Sequence, residues 1–405
     1  MELERFTINV PQEALDDLKR RLKATRFAQD LDNEDEYYGL STARLKPLIE
    51  YWADGYDWRQ AEKELNTYTR HRIEVGGTPI QFIREPGKGP KPIPLLLLHG
   101  WPWPSTSYNK IIHPLTDPAA HGGDPGDAFD VIVPDLPGFG FSTPLGRGDL
   151  NYWKMADIFH ELMTGVLGYE KFAVGGSDYG ALIQAQLGHK YAKDLYGLHT
   201  GVEMVPGIFS GDRFWDLTGG TNLPPDAPEL LRADMRKFIE TYAAHVTVHM
   251  LDGQTVTHGW NDSPAGMLAW LLRKWQTWSD RWTDDFHQVF PRDFILTAAT
   301  IFWVNQAIGS SLRVYRNAER YPWTPSHDRK PQIEAPAGFT LLLGDVNPIG
   351  VRTPEERIAA FENGPTRDWY NPVNVKAHRK GGHFGALENP EAWIADLRDT
   401  FRELR

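Results

Sequence analysis

Residues 172–180 read FAVGGSDYG, a short apolar run that ends in small residues around an aspartate. A turn that leads sharply from a strand into a helix needs small residues two before and two after its tip, because the chain doubles back closely there. Glycines occupy both positions only when the tip is Asp178; a frame centred on Ser177 would put Tyr179 where a small residue is needed. The pattern therefore favours Asp178 at the tip of the turn.

Other short apolar runs resemble the one before Asp178. They are Ile93–Leu98, Asp130–Val133, Phe339–Leu343 and Val373–Val375. Unalternating runs of this length, separated by helical stretches, are typical of a parallel sheet that is buried on both faces. Reactive groups of such sheets lie at the carboxyl ends of the strands. We therefore expect an α/β fold with helices on both faces and an active site at that edge.

The remaining sequence suggests how the domains are organised. The first 75 residues are charged and helix-like, and the strand pattern stops from about Pro206 to Pro322. That second stretch is helical and aromatic, with tryptophans at positions 270, 275, 278 and 282. We predict an N-terminal helical arm (1–80), a core in two parts (81–205 and 323–405) and a helical cap between them (206–322), with a last helix over 390–404.

Composition excludes several classes of function. The chain has 405 residues and a net charge of −11, which disfavours binding to nucleic acid phosphates. It contains no cysteine, so thiolate metal sites and cysteine nucleophiles are excluded. We found neither a run of about 18 apolar residues nor a signal-peptide pattern at the start. We therefore expect a soluble cytoplasmic protein that uses no membrane.

An aspartate at this turn implies a particular chemistry. A serine that attacked an epoxide would form an ether, which has no carbonyl for water to attack, whereas a carboxylate forms an ester that water can hydrolyse. Asp178 therefore suggests attack on an sp3 carbon, as in epoxides or alkyl halides. An aspartate between glycines also suits an ordinary turn or helix cap, so its partners matter.

Two partners follow the last strands in the expected chain order. His383 stands in Gly-Gly-His-Phe after the final strand signal, and Asp345 follows the strand before it. The order nucleophile, acid, histidine is the one that α/β-hydrolases use. A single histidine among 14 means little, but the ordered set of Asp178, Asp345 and His383 is specific.

With these residues in place, the chain resembles the microsomal type of epoxide hydrolase, which has an N-terminal extension. The resemblance covers essentially the whole chain. Its motifs are ATR at 24–26, YWADGYDW at 51–58, HGWP at 99–102, GFGFS at 138–142, GSDYG at 176–180, NDSP at 261–264, SSLRVY at 310–315 and GGHFGALE at 381–388. Each motif is weak alone, and their common order makes the resemblance strong.

The resemblance implies roles for individual residues and an α/β-hydrolase fold without a cofactor. Asp178 falls on the family's nucleophile, His383 on its base and Asp345 on the charge-relay acid. Tyr315 falls on one of two lid tyrosines that donate a hydrogen bond to the epoxide oxygen. The animal relatives carry a membrane anchor, whereas this chain begins with the arm, so we expect no membrane attachment.

The sequence departs from the family at a few positions. Counting back from NDSP places His245 where the second lid tyrosine belongs, and Tyr242 lies one helical turn away. Tyr315 is thus predicted to act with His245, with Tyr242 or alone. The stretch between Asp345 and His383 is longer than usual, which leaves Glu355 and Glu356 as outside candidates for the acid.

Three further predictions concern the surroundings of the nucleophile. Backbone N–H groups of Trp101 and Tyr179 should form the oxyanion hole. We interpret His99 as a structural residue that shapes this loop. His245 and His249 share a helix face at i and i+4, but no acidic ligand is evident nearby, so we expect no metal.

The sequence leaves other functions open. A haloalkane dehalogenase also uses an aspartate at this turn, but its halide donor is usually a tryptophan where this chain has Tyr179. A serine esterase would act through Ser177, and a non-catalytic binding protein on the same fold is a further alternative. The expected partner is a small epoxide; the oligomeric state stays open, with a homodimer as one option.

Overall fold

Within residues 3–209, 226–280, 286–345 and 350–405, which the computed structural model describes, eight strands form one sheet. The strands are β1 Arg70–Val75, β2 Thr78–Glu85, β3 Ile93–Leu98, β4 Phe129–Pro134, β5 Phe172–Gly176, β6 Leu195–Thr200, β7 Ile333–Leu342 and β8 Tyr370–His378. Their spatial order is β1-β2-β4-β3-β5-β6-β7-β8. Strands β4, β3, β5, β6, β7 and β8 run parallel to one another, which confirms the predicted mostly parallel sheet.

The first two strands correct the prediction for the start of the chain. Strands β1 and β2 form an antiparallel hairpin, and β2 pairs antiparallel with β4 at the edge of the sheet. Residues 70–75 are therefore a strand and not part of a helix-like arm. The strand begins with three polar residues, Arg70, His71 and Arg72, and its apolar residues are Ile73 and Val75. The turn at Gly76 and Gly77 has positive φ at both glycines.

The described residues also form helices on both sides of the sheet. They are α1 Gln12–Lys23, α2 Thr42–Asp54, α3 Trp58–Leu65, α4 Asn109–Thr116, α5 Tyr152–Glu161, α6 Tyr179–Lys190, α7 Glu229–Phe238, α8 Ala244–Leu251, α9 Gly253–Asp262, α10 Pro264–Trp278, α11 Phe286–Val289, α12 Arg292–Val304, α13 Ala307–Arg320, α14 Pro354–Glu362, α15 Gly385–Glu388 and α16 Pro390–Arg402. The last helix thus ends two residues before the predicted position 404.

The central strand β3 shows why the sheet is covered on both faces. All six of its residues are buried. Because side chains alternate along a strand, Leu95 and Leu97 join a core with the residues of α4 and α16, whereas Leu96 and Leu98 join the core that contains α5 and α6. An uninterrupted apolar run is therefore what this position requires.

The helices between β6 and β7 lie over the carboxyl end of the sheet. Helices α8 and α13 bring His245 and Tyr315 against residues that follow β3 and β5: His245 stacks on Trp101 with ring centroids 5.6 Å apart, and Tyr315 contacts Tyr179 at 5.2 Å. This placement agrees with a cap over the active edge. The domain boundaries themselves stay a prediction, and Trp282 lies outside the described residues.

The N-terminal arm packs against the cap. The indole of Trp52 in α2 donates to the hydroxyl of Thr300 in α12 at 3.0 Å, and the guanidinium of Arg21 in α1 donates to the backbone carbonyl of Asp262 at 2.7 Å. Trp52 is only 4% exposed. The arm therefore holds the cap in place by burying apolar surface as well as by polar contacts.

No single helix in the described ranges is long and apolar enough to cross a membrane, although the pair α12 and α13, bent by 80°, reaches the required length and composition together.

Candidate active site

The turn between β5 and α6 has the geometry that its sequence predicts. Asp178 lies between the strand and the helix with φ 54° and ψ −119°, a conformation that residues other than glycine rarely adopt. A Cβ on Gly176 would lie 2.6 Å from the carbonyl oxygen of Leu98, and one on Gly180 would overlap the same atom. The two glycines are therefore required for the close approach of this turn to β3.

The two carboxylate oxygens of Asp178 have different surroundings. Oδ1 accepts hydrogen bonds from the backbone N–H of Trp101 at 2.8 Å and of Tyr179 at 2.7 Å. Oδ2 lies 3.3 Å from Nε2 of His383. The structure thus brings together the predicted nucleophile, both predicted oxyanion donors and the predicted base. No hydrogen bond joins Ser177 to His383 in the described part of the chain.

The second ring nitrogen of His383 faces the predicted acid. Nδ1 lies 3.3 Å from Oδ1 and 3.4 Å from Oδ2 of Asp345, which comes three residues after the end of β7. The outside candidates are elsewhere: Glu355 and Glu356 are exposed in the first turn of α14, where the Glu356 carboxylate caps the helix by accepting from the Thr353 backbone. Of the three candidate acids, Asp345 is thus the one that the described structure places beside His383.

The surrounding charges determine the protonation of His383. Burial by itself would lower the pKa of its imidazole, but the negative charge of Asp345 and the hydrogen bond with Asp178 outweigh burial and raise this pKa to about 10. A pKa this high favours the imidazolium form of His383 at neutral pH. A histidine in that state cannot accept a proton while both charges remain.

Tyr315 and His245 form a hydrogen-bonded pair in the cap. Nδ1 of His245 faces the backbone carbonyl of Tyr242, so this nitrogen carries the proton. Nε2 is then the acceptor in the neutral ring, and the hydroxyl of Tyr315 donates to it at 3.0 Å. Burial holds the pKa of His245 well below its ordinary value, which keeps the ring neutral. His245 is therefore an acceptor here.

Tyr242 presents a different arrangement. Its ring contacts that of His383 at 5.3 Å and lines the same cavity as Tyr315. Its hydroxyl has no hydrogen-bond partner among the described residues, and the hydroxyl oxygen is not fully enclosed by protein. Burial and the charge of Asp178 raise the pKa of Tyr242 well above 10, so it stays a neutral donor. Its proton is available to a molecule in the cavity.

A cavity of about 240 Å³ connects these groups. Its walls are mostly apolar, as is usual for small-molecule sites, with a few convergent polar groups. The lining residues are Asp178, Tyr179, Leu182, Val202, Glu203, Met204, Ile208, Phe209, Phe238, Tyr242, Ala243, His245, Val246, Tyr315 and Thr366. Asp178, Tyr242 and Tyr315 thus open onto one space that suits an apolar ligand.

The other histidines that the sequence singles out are engaged in the surrounding structure. Nε2 of His99 accepts from the backbone N–H of Leu136 at 3.0 Å, and Nδ1 lies 3.0 Å from the carbonyl of Gly100, which agrees with a structural role in this loop. Nε2 of His249 accepts from the indole N–H of Trp270 at 3.1 Å.

Sequence reasoning missed the residues that hold the loop of His383. The carboxylate of Glu388 accepts from the backbone N–H of Phe384 at 2.9 Å and of Asp280 at 2.6 Å, and the backbone N–H of His383 donates to the carbonyl of Trp278 at 3.0 Å. Glu388 is fully buried, and burial outweighs these bonds to raise its pKa to about 7. Its place in the GGHFGALE motif was the available signal.

Comparisons with known proteins agree with this geometry. Residues 3–108 match the family model described as epoxide hydrolase N terminus, and residues 93–199 match the alpha/beta hydrolase fold. A Stigmatella aurantiaca protein assigned to the epoxide hydrolases is 34% identical over 99% of this chain and 85% of its own length. Epoxide hydrolase 1 of Oryctolagus cuniculus is 28% identical over 97% of this chain and 87% of its own.

A solved structure supports the fold independently. The epoxide hydrolase of Aspergillus niger superposes with a TM-score of 0.78, at 24% identity, over 100% of this chain and 97% of that one. The α/β-hydrolase fold expected from the sequence is confirmed. The chain therefore belongs to the epoxide hydrolase family, whose N-terminal region and α/β-hydrolase core it carries, and it is an epoxide hydrolase.

Proposed function

We propose that this protein converts a small-molecule epoxide to a vicinal diol in two steps, through an alkyl ester on Asp178. The observation that carries the proposal is the unequal placement of the Asp178 oxygens. Oδ1 is held by two backbone N–H groups, while Oδ2 lies against His383. One oxygen can thus form a bond to the substrate while the other stays in the oxyanion hole.

In the first step Oδ2 attacks a carbon of the epoxide from the side opposite the ring oxygen. The C–O bond of the ring breaks, and the departing oxygen needs a proton because an alkoxide is costly in an apolar cavity. Oδ1 becomes the carbonyl oxygen of the new ester.

The proton for the departing oxygen comes from tyrosine hydroxyls in the cap. The hydroxyl of Tyr242 has no hydrogen-bond partner among the described residues, whereas that of Tyr315 donates to His245. We propose Tyr242 as the donor that is ready when the epoxide binds. Tyr315 joins it by turning its hydroxyl from His245 to the epoxide. His245 then acts by orienting Tyr315 and is not the second donor.

The second step becomes possible because the first removes a charge. Esterification neutralises Asp178, and with it one of the two groups that raise the pKa of His383. The imidazolium can then lose its proton, which restores the tyrosine hydroxyl that protonated the departing oxygen in the first step. As a neutral base oriented by Asp345, His383 takes a proton from water, which attacks the ester carbonyl carbon.

The oxyanion of this second step forms on an atom that is already bound. Oδ1 accepts hydrogen bonds from two backbone N–H groups before the reaction starts, so little reorganisation is needed when it becomes negative. Removing one donor of this kind costs about 3–4 kcal/mol in known enzymes. Collapse of the tetrahedral intermediate restores the carboxylate and releases the diol.

The test of the two steps is a single turnover in oxygen-18 water with enzyme in excess over styrene oxide. We expect unlabelled diol and one oxygen-18 atom in a peptide that contains Asp178. Label that appears directly in the first diol would show direct attack by water and refute the ester. His383→Gln should accumulate the ester, which the intact mass of the protein would reveal. In a separate assay, release of bromide from a bromoalkane would favour a dehalogenase over an epoxide hydrolase.

The donors are tested through the rate of ester formation, followed by tryptophan fluorescence under single-turnover conditions. Tyr242→Phe and Tyr315→Phe should each slow this step by about 10- to 150-fold, the effect of losing a hydrogen bond to a developing charge. The matched control is Tyr152→Phe, a buried tyrosine that contacts Tyr179 but does not line the cavity. Equal rates for Tyr242→Phe and wild type would exclude Tyr242 as a donor.

A further inference from the structure

The cavity contains one charged group that the proposed mechanism does not use. Glu203 follows β6 by three residues and lines the cavity among apolar side chains such as Val202, Met204 and Ile208. Its Oε2 accepts a hydrogen bond from Nη2 of Arg357 in α14. Arg357 is 3% exposed and does not itself line the cavity, so Glu203 stands between the guanidinium and the open space.

Stability does not explain this ion pair. A buried pair gains from mutual attraction, but removing two charges from water costs a comparable amount, so apolar residues of similar size often serve a fold as well. The Nε atom of Arg357 is enclosed and has no hydrogen-bond partner in the described part of the chain. Because Glu203 lines a ligand cavity while Arg357 lies behind it, the position of the pair points to a role in binding.

Glu203 lines the cavity, and its carboxylate has hydrogen-bonding capacity that Arg357 does not use. Within the described ranges, the hydrogen-bond partner of Glu203 is Arg357, which donates to Oε2. An ionised carboxylate only accepts hydrogen bonds and offers about four lone-pair positions. A ligand group that binds there must therefore donate. Because Arg357 already balances the negative charge, a neutral hydroxyl suits the pair better than an ammonium group.

A second polar group lines the same cavity. The hydroxyl side chain belongs to Thr366, which lies four residues before β8. The hydroxyl of Tyr370, the first residue of β8, donates to the carbonyl of Met204, which fixes the segment of Glu203 against this part of the chain. Thr366 can both donate and accept, so it offers a ligand in the cavity a further polar contact.

We propose that Glu203, supported by Arg357, is a subsite for a hydroxyl group that the substrate carries outside its epoxide ring. The inference rests on the proposed function and names the class of substrate: an apolar epoxide with one remote hydroxyl. The apolar walls bind the hydrocarbon part, Asp178 and the cap tyrosines bind the ring, and Glu203 fixes which way the molecule lies between them.

The test compares terminal epoxides of six, eight and ten carbons with the same epoxides bearing a hydroxyl on the far carbon. The quantity measured is the ratio of kcat/KM for each hydroxylated epoxide to that of its plain counterpart. We expect this ratio to exceed ten for at least one length in the wild type. It should fall at least tenfold in Glu203→Leu/Arg357→Met, which removes both charges together, and should fall less in Glu203→Gln.

The control is Glu362→Gln, which alters an exposed glutamate that pairs with Arg367 at the end of α14. This variant should keep the wild-type ratio. Ratios near one in the wild type at every length, or a ratio that survives in both Glu203 variants, would overturn the subsite. Absence of turnover for all the epoxides would instead overturn the proposed function, so the two failures are distinct.

Discussion

Replacing Asp178 with asparagine should lower the pKa of His383, because it removes a negative charge while keeping the shape of the side chain. The two charges are 3.3 Å apart. At an effective dielectric constant of about 20, this separation corresponds to roughly 5 kcal/mol, or between three and four pKa units. The pKa of His383 should thus fall from about 10 to roughly 6 to 7.

The assay is a pH titration of side-chain nitrogen-15 signals in protein labelled at histidine. The chain has 14 histidines, so a His383→Gln sample is needed to assign the signal of interest. Ser177→Ala, next to Asp178 but without a change of charge, is the matched control. Asp178→Asn also mimics the esterified state, because its side chain is neutral. The pKa of His383 in this variant therefore reports whether His383 becomes a base after the first step.

Stability provides a second measurement of the same effect. A folded-state pKa above the unfolded value of about 6.5 gives stability that is complete below that pH and is lost as pH rises through the folded-state pKa. The wild type should therefore lose roughly 4 to 5 kcal/mol relative to Asp178→Asn between pH 6.5 and about 10. An unchanged His383 pKa in Asp178→Asn would refute the proposed link between esterification and the base.

Three further variants test other parts of the structure. Gly180→Ala should lower Tm by several degrees or prevent folding, because its Cβ overlaps the Leu98 carbonyl, whereas Gly259→Ala in open space on α9 should not; thermal melts decide. Asp345→Asn should slow ester hydrolysis by about 10²- to 10⁴-fold and accumulate the ester in mass spectra, a result that unchanged hydrolysis would contradict. Burial raises the pKa of Glu388, so the free energy of unfolding of the wild type should fall by up to about 3 kcal/mol relative to Glu388→Gln as pH rises from 4.5 to about 7. Urea unfolding measures this difference. An equal dependence of the unfolding free energy on pH in both proteins would exclude it.

The core of the site could be predicted because strand ends determine it. Asp178, Asp345 and His383 each follow a strand, and parallel strands bring their carboxyl ends together whatever lies between them. The same reasoning places the backbone of Trp101 beside Asp178. Local sequence alone selects Asp178 over Ser177, since the glycines on both sides are needed for contact with Leu98.

The edge hairpin β1–β2 was missed for a physical reason. Strand β1 begins with three polar residues and has apolar residues at Ile73 and Val75, so it lacks the continuous apolar run that marks the inner strands. Strand β7 was placed correctly but begins at Ile333, six residues before the predicted start at Phe339. Its first residues mix proline and charge with alanine and isoleucine, and the pattern there is weak.

The cap and the polar wall of the cavity were beyond sequence reasoning in another way. Whether His245 or Tyr242 offers a proton depends on one rotamer and on a backbone carbonyl one turn away. The pairing of Glu203 with Arg357 joins residues 154 positions apart. Neither relation follows from strand order or residue spacing, because both depend on how helices pack.

Because the two Asp178 oxygens have different fixed positions, the isotopic composition of this carboxylate should change with each catalytic cycle. In the proposed mechanism Oδ2 leaves with the product and an atom from water replaces it, while Oδ1 stays on its two N–H donors. If the carboxylate does not rotate between cycles, the second diol made in labelled water carries the label in full; free rotation would dilute it to about half. Prolonged turnover would then exchange one atom of this side chain and leave the other as it was when the chain was synthesised.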